Sequence, residues 1–261
     1  MKKTGIPVWV KPAILIFVIL LALILIMGYI WKSLCASDYF RIKDIIGTQA
    51  NIKDLSYLKG HNIFTIDLKK ESAYLLDLYP SYSSVRLVRV LPDRLFVDFI
   101  KRRPLALIKL YRYFAVDQEG VIFTRPPEAE EFDLPIILGL ETKIFGPKPG
   151  KRYNIKELNA ALEITKEIKK NRALSGYQIK RIDVSSISNS SVLLTCPVNS
   201  QGALKGIDIL EIKLGQDNIK DKILILGGII MQAKSEAPNI KYVDLRFKEP
   251  AIKLKDVKLK R

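Results

Sequence analysis

"VRLVRVLPDRLFVDFIKRRPLAL", residues 85–107, reads as two short strands folded on each other at Pro92-Asp93-Arg94. Pro92 fixes φ at the turn and Asp93 has a side chain able to bond back to nearby backbone, so the strands need no long loop. In the second strand Leu95, Val97 and Phe99 fall on one face and Phe96, Asp98 and Ile100 on the other, the period of a half-buried strand. Arg102, Arg103 and Pro104 stop it. Just upstream, "LKKESAYLLDLY" (68–79) sets Leu68, Ser72, Leu75, Leu76 and Tyr79 along one helical stripe, with Asp67 as its cap and Pro80 as its stop. Further back, "YFRIKDIIGT" (39–48) is β-like, with Phe40, Ile42 and Ile45, and "NIKDLSYL" (51–58) spaces Ile52, Leu55 and Leu58 for a helix. Strand, helix, helix, strand, strand is a small α+β unit with helices on one sheet face.

The start of the chain has a different character. "AILIFVILLALILIMGYIW", residues 13–31, is a 19-residue run without a charge, close to the roughly 20 residues that cross a bilayer core. Lys2, Lys3 and Lys11 precede it with no acid among them, which predicts a cytoplasmic N-terminus (1–12) and an exported remainder. A cleaved signal would have a shorter apolar core of about 7–15 residues and small residues at its end. This run leaves instead through Tyr29 and Trp31, residues suited to a membrane interface. "WKSLC" does not supply the small residues that precede a lipidated cysteine, so Cys35 is not expected to carry a lipid. "ILILGGIIM" (223–231) is too short to span and is flanked by charge.

Beyond the opening hairpin a second domain is expected, a mixed β-sheet with packed helices, so that the chain as a whole is α+β. "ALIKLYRYFAVDQEGVIF" (106–123) reads as two strands about a turn served by Asp117 and Gly120, and "LPIILG" (134–139) as a short buried strand ending at a glycine. "NIKELNAALEITKEIKKN" (154–171) places Ile155, Leu158, Leu162, Thr165 and Ile168 on one helical face, with Asn154 as candidate cap. "YQIKRIDVSS", "SVLLTCPV" and "IDILEIKLG" follow as strands between turn-rich segments. Asp217 is expected to open a helix over 218–237 that ends near Pro238, and close packing on the sheet would explain Gly227 and Gly228, each costing about 1 kcal/mol in a helix interior relative to Ala. "IKYVDLRF" and "AIKLKDVKL" close the chain as two strands, or one strand and a tail.

Forty-three Lys and Arg against 27 Asp and Glu give a net charge of +16 over 261 residues, which favours an anionic partner. The basic residues are scattered, without a basic helix or stacking aromatics, so nucleic acid is not the expected partner. A solvated, membrane-facing surface accounts for the charge more simply. His61, the one histidine, has no imidazole or Cys-x-x-Cys to join it, so neither zinc nor a serine-histidine pair is expected and His61 reads as a loop residue. Cys35 and Cys196 are unlike in context and read as free thiols. The acid pairs Glu130/Glu131 and Glu167/Asp183 could imitate a general acid and base, but their contexts are a loop and a solvated helix. "GGIIMQ" lacks the Lys-Ser/Thr of a phosphate loop. No cofactor, metal or small-molecule substrate is expected, and the protein reads as non-catalytic.

The anchor, the order of strands and helices, the pattern Val88-Arg89, Leu91-Pro92, Leu95, Val97, Arg103-Pro104 and then "YFAVDQEGVIF" (113–123) together resemble the FtsQ/DivIB family of bacterial cell-division proteins. The likeness runs from the anchor to about residue 256. It implies a transmembrane helix (13–31), a POTRA domain (39–104), an FtsQ-type β domain (105–256) and a basic tail (257–261). It also implies a scaffold at the division septum of the plasma membrane that binds FtsB- and FtsL-like proteins and helps control septal wall synthesis. The candidate partner surface is "YVDLRFKEPAIKLK" (242–255), with Tyr242, Asp244, Arg246, Phe247, Ala251 and Lys253 as contact residues. A terminal strand can accept an extended segment through its unpaired backbone groups. Arg246 could form a forked pair with a partner carboxylate and Phe247 an apolar anchor; equally, Tyr242, Leu245 and Phe247 could fill the core while Arg246 balances a neighbouring acid. Lys248-Glu249-Pro250 departs from the smaller turn usual there. In the hairpin, Arg89, Pro92, Arg103 and Pro104 are expected to complete the POTRA sheet and form the hinge to the next domain, and its exposed edge offers a second docking surface. Alternatives are a POTRA-bearing component of envelope transport, an exported wall enzyme, and an anionic-lipid binder using Lys253, Lys255, Lys258, Lys260 and Arg261.

Overall fold

The structure, a computed structural model, describes residues 10–47, 55–126, 133–195, 209–233 and 240–254, with side chains from residue 14 onward. Lys2, Lys3 and the side chain of Lys11, Ile52, Glu130 and Glu131, Cys196, Pro238, and the basic tail with Lys255, Lys258, Lys260 and Arg261 lie outside the described residues. The chain divides into two compact units, Met1–Leu78 with Tyr82–Ile100, and Tyr79–Ser81 with Lys101–Arg261.

The first unit starts with helix α1 (Val10–Ala36), in which an 18-residue stretch within Ile14–Ala36 has a mean hydropathy of 3.0 and is not buried by the chain. It is the one helix among the described residues long and apolar enough to cross a membrane. The helix runs five residues past Trp31, the last residue of the apolar run. Ser37 then accepts the Tyr39 N–H and caps a 3-10 turn, Asp38–Phe40. The expected strand from Tyr39 is therefore shorter: β1 is Asp44–Gly47. The expected helix over 51–58 is a 3-10 turn at residues 55–58, with 51–54 outside the described set. Helix α2 (Leu68–Leu78) is capped as expected, the Asp67 carboxylate accepting the Lys69 and Lys70 N–H groups at 3.1 and 3.3 Å.

Strands β2 (Tyr82–Val90) and β3 (Arg94–Lys101) form the hairpin, joined through a cis Leu91–Pro92 bond. Leu95, Val97 and Phe99 are buried on one face of β3. The sheet order is β1-β3-β2, with β1 parallel to β3. Asp93 does not serve its own turn as expected: its carboxylate lies 3.0 Å from the Lys43 Nζ and its carbonyl accepts the Lys43 N–H at 2.9 Å, which ties the turn to the start of β1.

The second unit is a nine-stranded mixed sheet with two helices packed on it. Three strands, not two, occupy 106–124: β4 (Ala106–Lys109), β5 (Tyr113–Val116) and β6 (Ile122–Thr124). The tight turn at Tyr111-Arg112 between β4 and β5 is what the two-strand reading overlooked. Strand β7 (Ile136–Leu138) ends at Gly139, whose φ is +87° and whose absent Cβ would lie 2.2 Å from the Ser185 nitrogen, so glycine is needed there on both counts. Helix α3 (Lys156–Lys170) buries Leu158, Ala161, Leu162, Ile164, Thr165 and Ile168. Its N-cap is Ile155, not Asn154; the Asn154 side chain instead accepts from Asn159 at 2.7 Å.

Strands β8 (Gln178–Asp183), β9 (Ser191–Thr195) and β10 (Ile209–Lys213) form an antiparallel set. Helix α4 (Ile219–Ala233) opens from Asn218, at φ +52°, which accepts the Lys222 N–H through its carbonyl; Asp217 lies one position too early for that role. Gly227 packs not on the sheet but on the turn after α3, where an added Cβ would meet the Asn171 side chain at 2.7 Å; at Gly228 there is open space. Strands β11 (Ile240–Asp244) and β12 (Ala251–Leu254) complete the sheet in the order β12-β11-β10-β9-β8-β7-β4-β5-β6. The core lies between the sheet and α3 and α4, with Ile108, Phe114, Ile137, Leu158, Ile182, Leu194, Leu226 and Val243 among its buried members.

Candidate functional site

The two ends of the long sheet differ. At the β6 end the outer backbone is occupied: the Ile122 N–H donates to the Lys151 carbonyl at 3.1 Å, the Ile122 carbonyl accepts from Gly150 at 2.8 Å, and Val121 bridges Arg152. At the other end β12 pairs with β11 on its inner side, and no pairing to its outer side occurs among the described residues. All four β12 residues are exposed, Ile252 and Leu254 at 48% and 54%. An unpaired strand edge of this kind is the feature that natural sheets usually cover or blunt. Beside it Ile252 and Leu254 line an open, mostly apolar groove of ≈ 310 Å³ with Ile229, Gln232, Ala233 and Ile240.

The corner from β11 into β12 is built around one acid. Asp244 is buried; its carboxylate accepts the Arg246 backbone N–H at 3.1 Å, the Arg246 Nε at 2.9 Å and the Arg246 Nη2 at 2.6 Å. The third guanidinium nitrogen, Nη1, donates to the Asn189 Oδ1 at 2.8 Å. Hydrogen bonding from Arg246 above all holds the Asp244 carboxyl below the usual carboxylate range, against the opposing effect of burial. Of the two roles open to Arg246, the geometry supports balance of a neighbouring acid: its fork is spent within the chain. Its guanidinium lies 5.6 Å from the Phe247 ring, which is 64% exposed. Leu245 next to it is buried and donates its N–H to the Lys213 carbonyl at 2.8 Å, which locks the corner to β10. Tyr242 is half-buried beneath Lys213, the ammonium 5.1 Å from its ring centre. Ala251 and Lys253 stand on the open strand, exposed, opposite Asp244 and Tyr242 in the β11–β12 register. The corner thus gathers Tyr242, Asp244, Arg246, Ala251 and Lys253 into one edge, with Phe247 projecting from it.

Arg89 donates from Nε and Nη2 to the Ile63 and Ile66 carbonyls, both at 2.7 Å, and so braces the first unit internally. Pro92 sits in the β2–β3 turn, and Arg103 and Pro104 lie between β3 and β4, Arg103 exposed and Pro104 half-buried. The side chain with structural weight here is the neighbouring Arg102, which donates to the Asp117 carboxylate at 2.6 Å with side-chain exposures of 12% and 8%. Asp117 also accepts the Glu119 and Val121 N–H groups at 2.9 and 3.0 Å. Sequence reading recovered the turn but not the ion pair, because a pair 15 residues apart leaves no periodic signal.

Asp183 caps its own turn through the Ser185 N–H and hydroxyl, at 3.0 and 2.6 Å. Among the described residues no three His, Cys, Asp or Glu side chains converge as a metal site. His61 lies in a loop, exposed, and Cys35 is a half-buried free thiol.

An apolar N-terminal helix, a three-stranded α+β unit and a nine-stranded mixed sheet with its β12 edge unpaired among the described residues define a membrane-anchored α+β protein. Residues 106–246 match the sequence model of the family "Cell division protein FtsQ/DivIB, C-terminal". Relatives include the "Cell division protein FtsQ" of Syntrophotalea carbinolica, 26% identical over 220 residues that cover 82% of this chain and 73% of that one. The protein of the same name from Anaeromyxobacter sp. (strain K) is 26% identical over 229 residues, 83% of this chain and 71% of the relative. That of Koribacter versatilis is 22% identical over 253 residues, 91% and 69%. The chain belongs to the FtsQ/DivIB family of cell division proteins.

Proposed function

We propose that this protein is a non-catalytic division scaffold that crosses the plasma membrane once, N-terminus in the cytoplasm, and works at the septum by strand addition at β12. Residues 1–12 are its cytoplasmic head, 13–31 its span, 39–104 its POTRA domain, 105–256 its FtsQ-type β domain and 257–261 a basic tail. The partner is an FtsB-like protein, itself paired with an FtsL-like one, and through it the scaffold helps control septal wall synthesis. The observation that carries this reading is the contrast between the two sheet edges, β6 covered and β12 unpaired on its outer side among the described residues. An extended partner segment would gain backbone hydrogen bonds along β12, with alternate side chains reading Lys253 on one face and the Ile252/Leu254 groove on the other. Phe247 supplies the exposed aromatic anchor, and Asp244 and Arg246 hold the corner that presents it. A net charge of +16 favours an acidic flank on the partner, which would speed encounter more than it tightens the complex.

The test is titration of the full chain in phospholipid nanodiscs with the exported segment of its own organism's FtsB-like protein. Phe247→Ala is predicted to weaken binding at least tenfold, the loss of about 1.4 kcal/mol or more expected at an anchor position. Phe145→Ala, an exposed aromatic on the 140–146 turn, should leave it unchanged. Equal effects of the two would move the interface away from the β11–β12 corner.

A further inference from the structure

The end of the anchor helix is fastened to the unit that follows it. A helix normally leaves its last carbonyls without internal partners. Here the Leu34 carbonyl accepts the Asn62 side-chain N–H at 2.9 Å, and the same amide nitrogen donates to the Ser37 carbonyl at 3.1 Å. The Asn62 Oδ1 accepts the Phe64 N–H at 2.9 Å, Asn62 bridges Arg41, and the Ile63 N–H donates to the Phe40 carbonyl at 2.9 Å. One side chain therefore bonds both the helix end and the loop that packs on it. A chain of rings runs across the same junction: Trp31 to Phe64 at 5.9 Å, Phe64 to Phe40 at 5.1 Å and Phe40 to Tyr39 at 5.2 Å between centroids. Ser37 alone separates α1 from the Asp38–Phe40 turn, so the connection has no slack.

The depth of this junction follows from helix geometry. A hydrocarbon core of about 30 Å takes up about 20 helical residues at 1.5 Å each. Counted from Ala13, the first residue of the charge-free run, the core ends near Lys32. Leu34 then lies at the edge of the hydrocarbon, and Asn62 and Phe64 lie at that depth because they are bonded or stacked on the helix end. Phe40 and Phe64 are only half-buried by the chain, while Trp31 and Tyr39 are exposed. Aromatic surface that the protein leaves uncovered at headgroup depth fits the water–lipid boundary, where Trp and Tyr are favoured.

We propose that Tyr39, Phe40 and Phe64, continuous with Trp31, form a lipid seat in the headgroup layer of a phospholipid bilayer, and that Asn62 makes the anchor helix and the first exported unit one body upon it. The seat rests on the reading of α1 as a membrane span. It gives the first unit a fixed height and tilt on the membrane, in place of a tethered domain free to swing.

The test uses the full chain in phospholipid nanodiscs, with Trp9→Phe, Trp31→Phe and Phe64→Trp so that one indole reports from the seat. Retention of the chain in washed discs checks the span separately. In retained chains, the indole should be quenched more by lipid brominated near the glycerol than by lipid brominated near the chain end, and shielded from aqueous acrylamide. Quenching by acrylamide alone would overturn the seat; loss of the chain from the discs would overturn the span and the seat together. Spin labels at Ile30 and Lys59, in a Cys35→Ser, Cys196→Ser background, should give one narrow distance distribution. Asn62→Asp keeps an acceptor for the Phe64 N–H but loses both donations to the helix end, and should broaden that distribution. An already broad distribution without the Asn62 change would overturn the one-body claim.

Discussion

Gly227→Ala and Gly228→Ala should shift stability in opposite directions, although the two glycines are neighbours on α4. Both substitutions gain the same intrinsic helix propensity, about 1 kcal/mol. At Gly228 nothing lies within 4 Å of the new methyl group, so that gain should appear nearly whole. At Gly227 the methyl would sit 2.7 Å from the Asn171 Nδ2 and 3.3 Å from the Ala173 Cβ. Asn171 is poorly placed to yield, because its Nδ2 donates to the Ile223 carbonyl and its Oδ1 accepts the Ala173 N–H, both at 3.0 Å. Overpacking of this kind costs about 1–3 kcal/mol, so Gly227→Ala should be destabilising by up to about 2 kcal/mol after the propensity gain. The gap between the variants is then about 1–3 kcal/mol, well outside the error of a mutant comparison. Urea unfolding followed by circular dichroism measures it, and hydrogen exchange of peptides from α4 and the 171–174 turn assigns the change to this unit. Adding Asn171→Ala to Gly227→Ala should restore part of the loss. Two single variants equally stabilised, within about 0.5 kcal/mol, would refute the close approach of α4 to that turn.

Two further outcomes follow from the polar groups. Removing one partner of the buried Arg102–Asp117 pair, as in Asp117→Ala, should cost about 3–5 kcal/mol, since it strands a buried guanidinium and two backbone N–H groups. A double-mutant cycle with Arg102→Met should show strong coupling, and additivity within about 0.5 kcal/mol would contradict the contact. At the β11 corner, the Asp244 carboxyl is held low in the folded chain, so it contributes stability above the ordinary carboxylate range near pH 3.9 that is lost as pH falls through its own lower value. Protection of the Leu245 amide, corrected for intrinsic exchange, should drop in that acid window, and Asp244→Asn should abolish the acid step.

The parts of this protein that sequence made legible were those with local, periodic signals. The charge-free run, the alternation of Leu95, Val97 and Phe99, the α3 face and the Asp67 cap all depend on neighbours within a few residues. Where the reading missed, a non-local partner or a tight turn had decided the outcome. Asn154 looked like a cap but is used by Asn159, and Asp93 looked like a turn residue but faces Lys43. Gly227 called for a close neighbour and has one, yet only the fold could say that it is Asn171 rather than the sheet. At the candidate edge the sequence supplied the residues, and the fold supplied what each is free to do. Arg246 is engaged by Asp244 and Asn189, while Phe247 and the outer side of β12 face outward.

The central claim is that β12 is the partner edge, and photo-crosslinking in dividing cells tests it most directly. A benzophenone amino acid at Lys253 on β12 is compared with the same residue at Thr124 on β6, exposed at the opposite end of the sheet. The account predicts a crosslink from position 253 to the FtsB-like protein and none from position 124. A crosslink from position 124 alone, with the protein present at the septum, would contradict it.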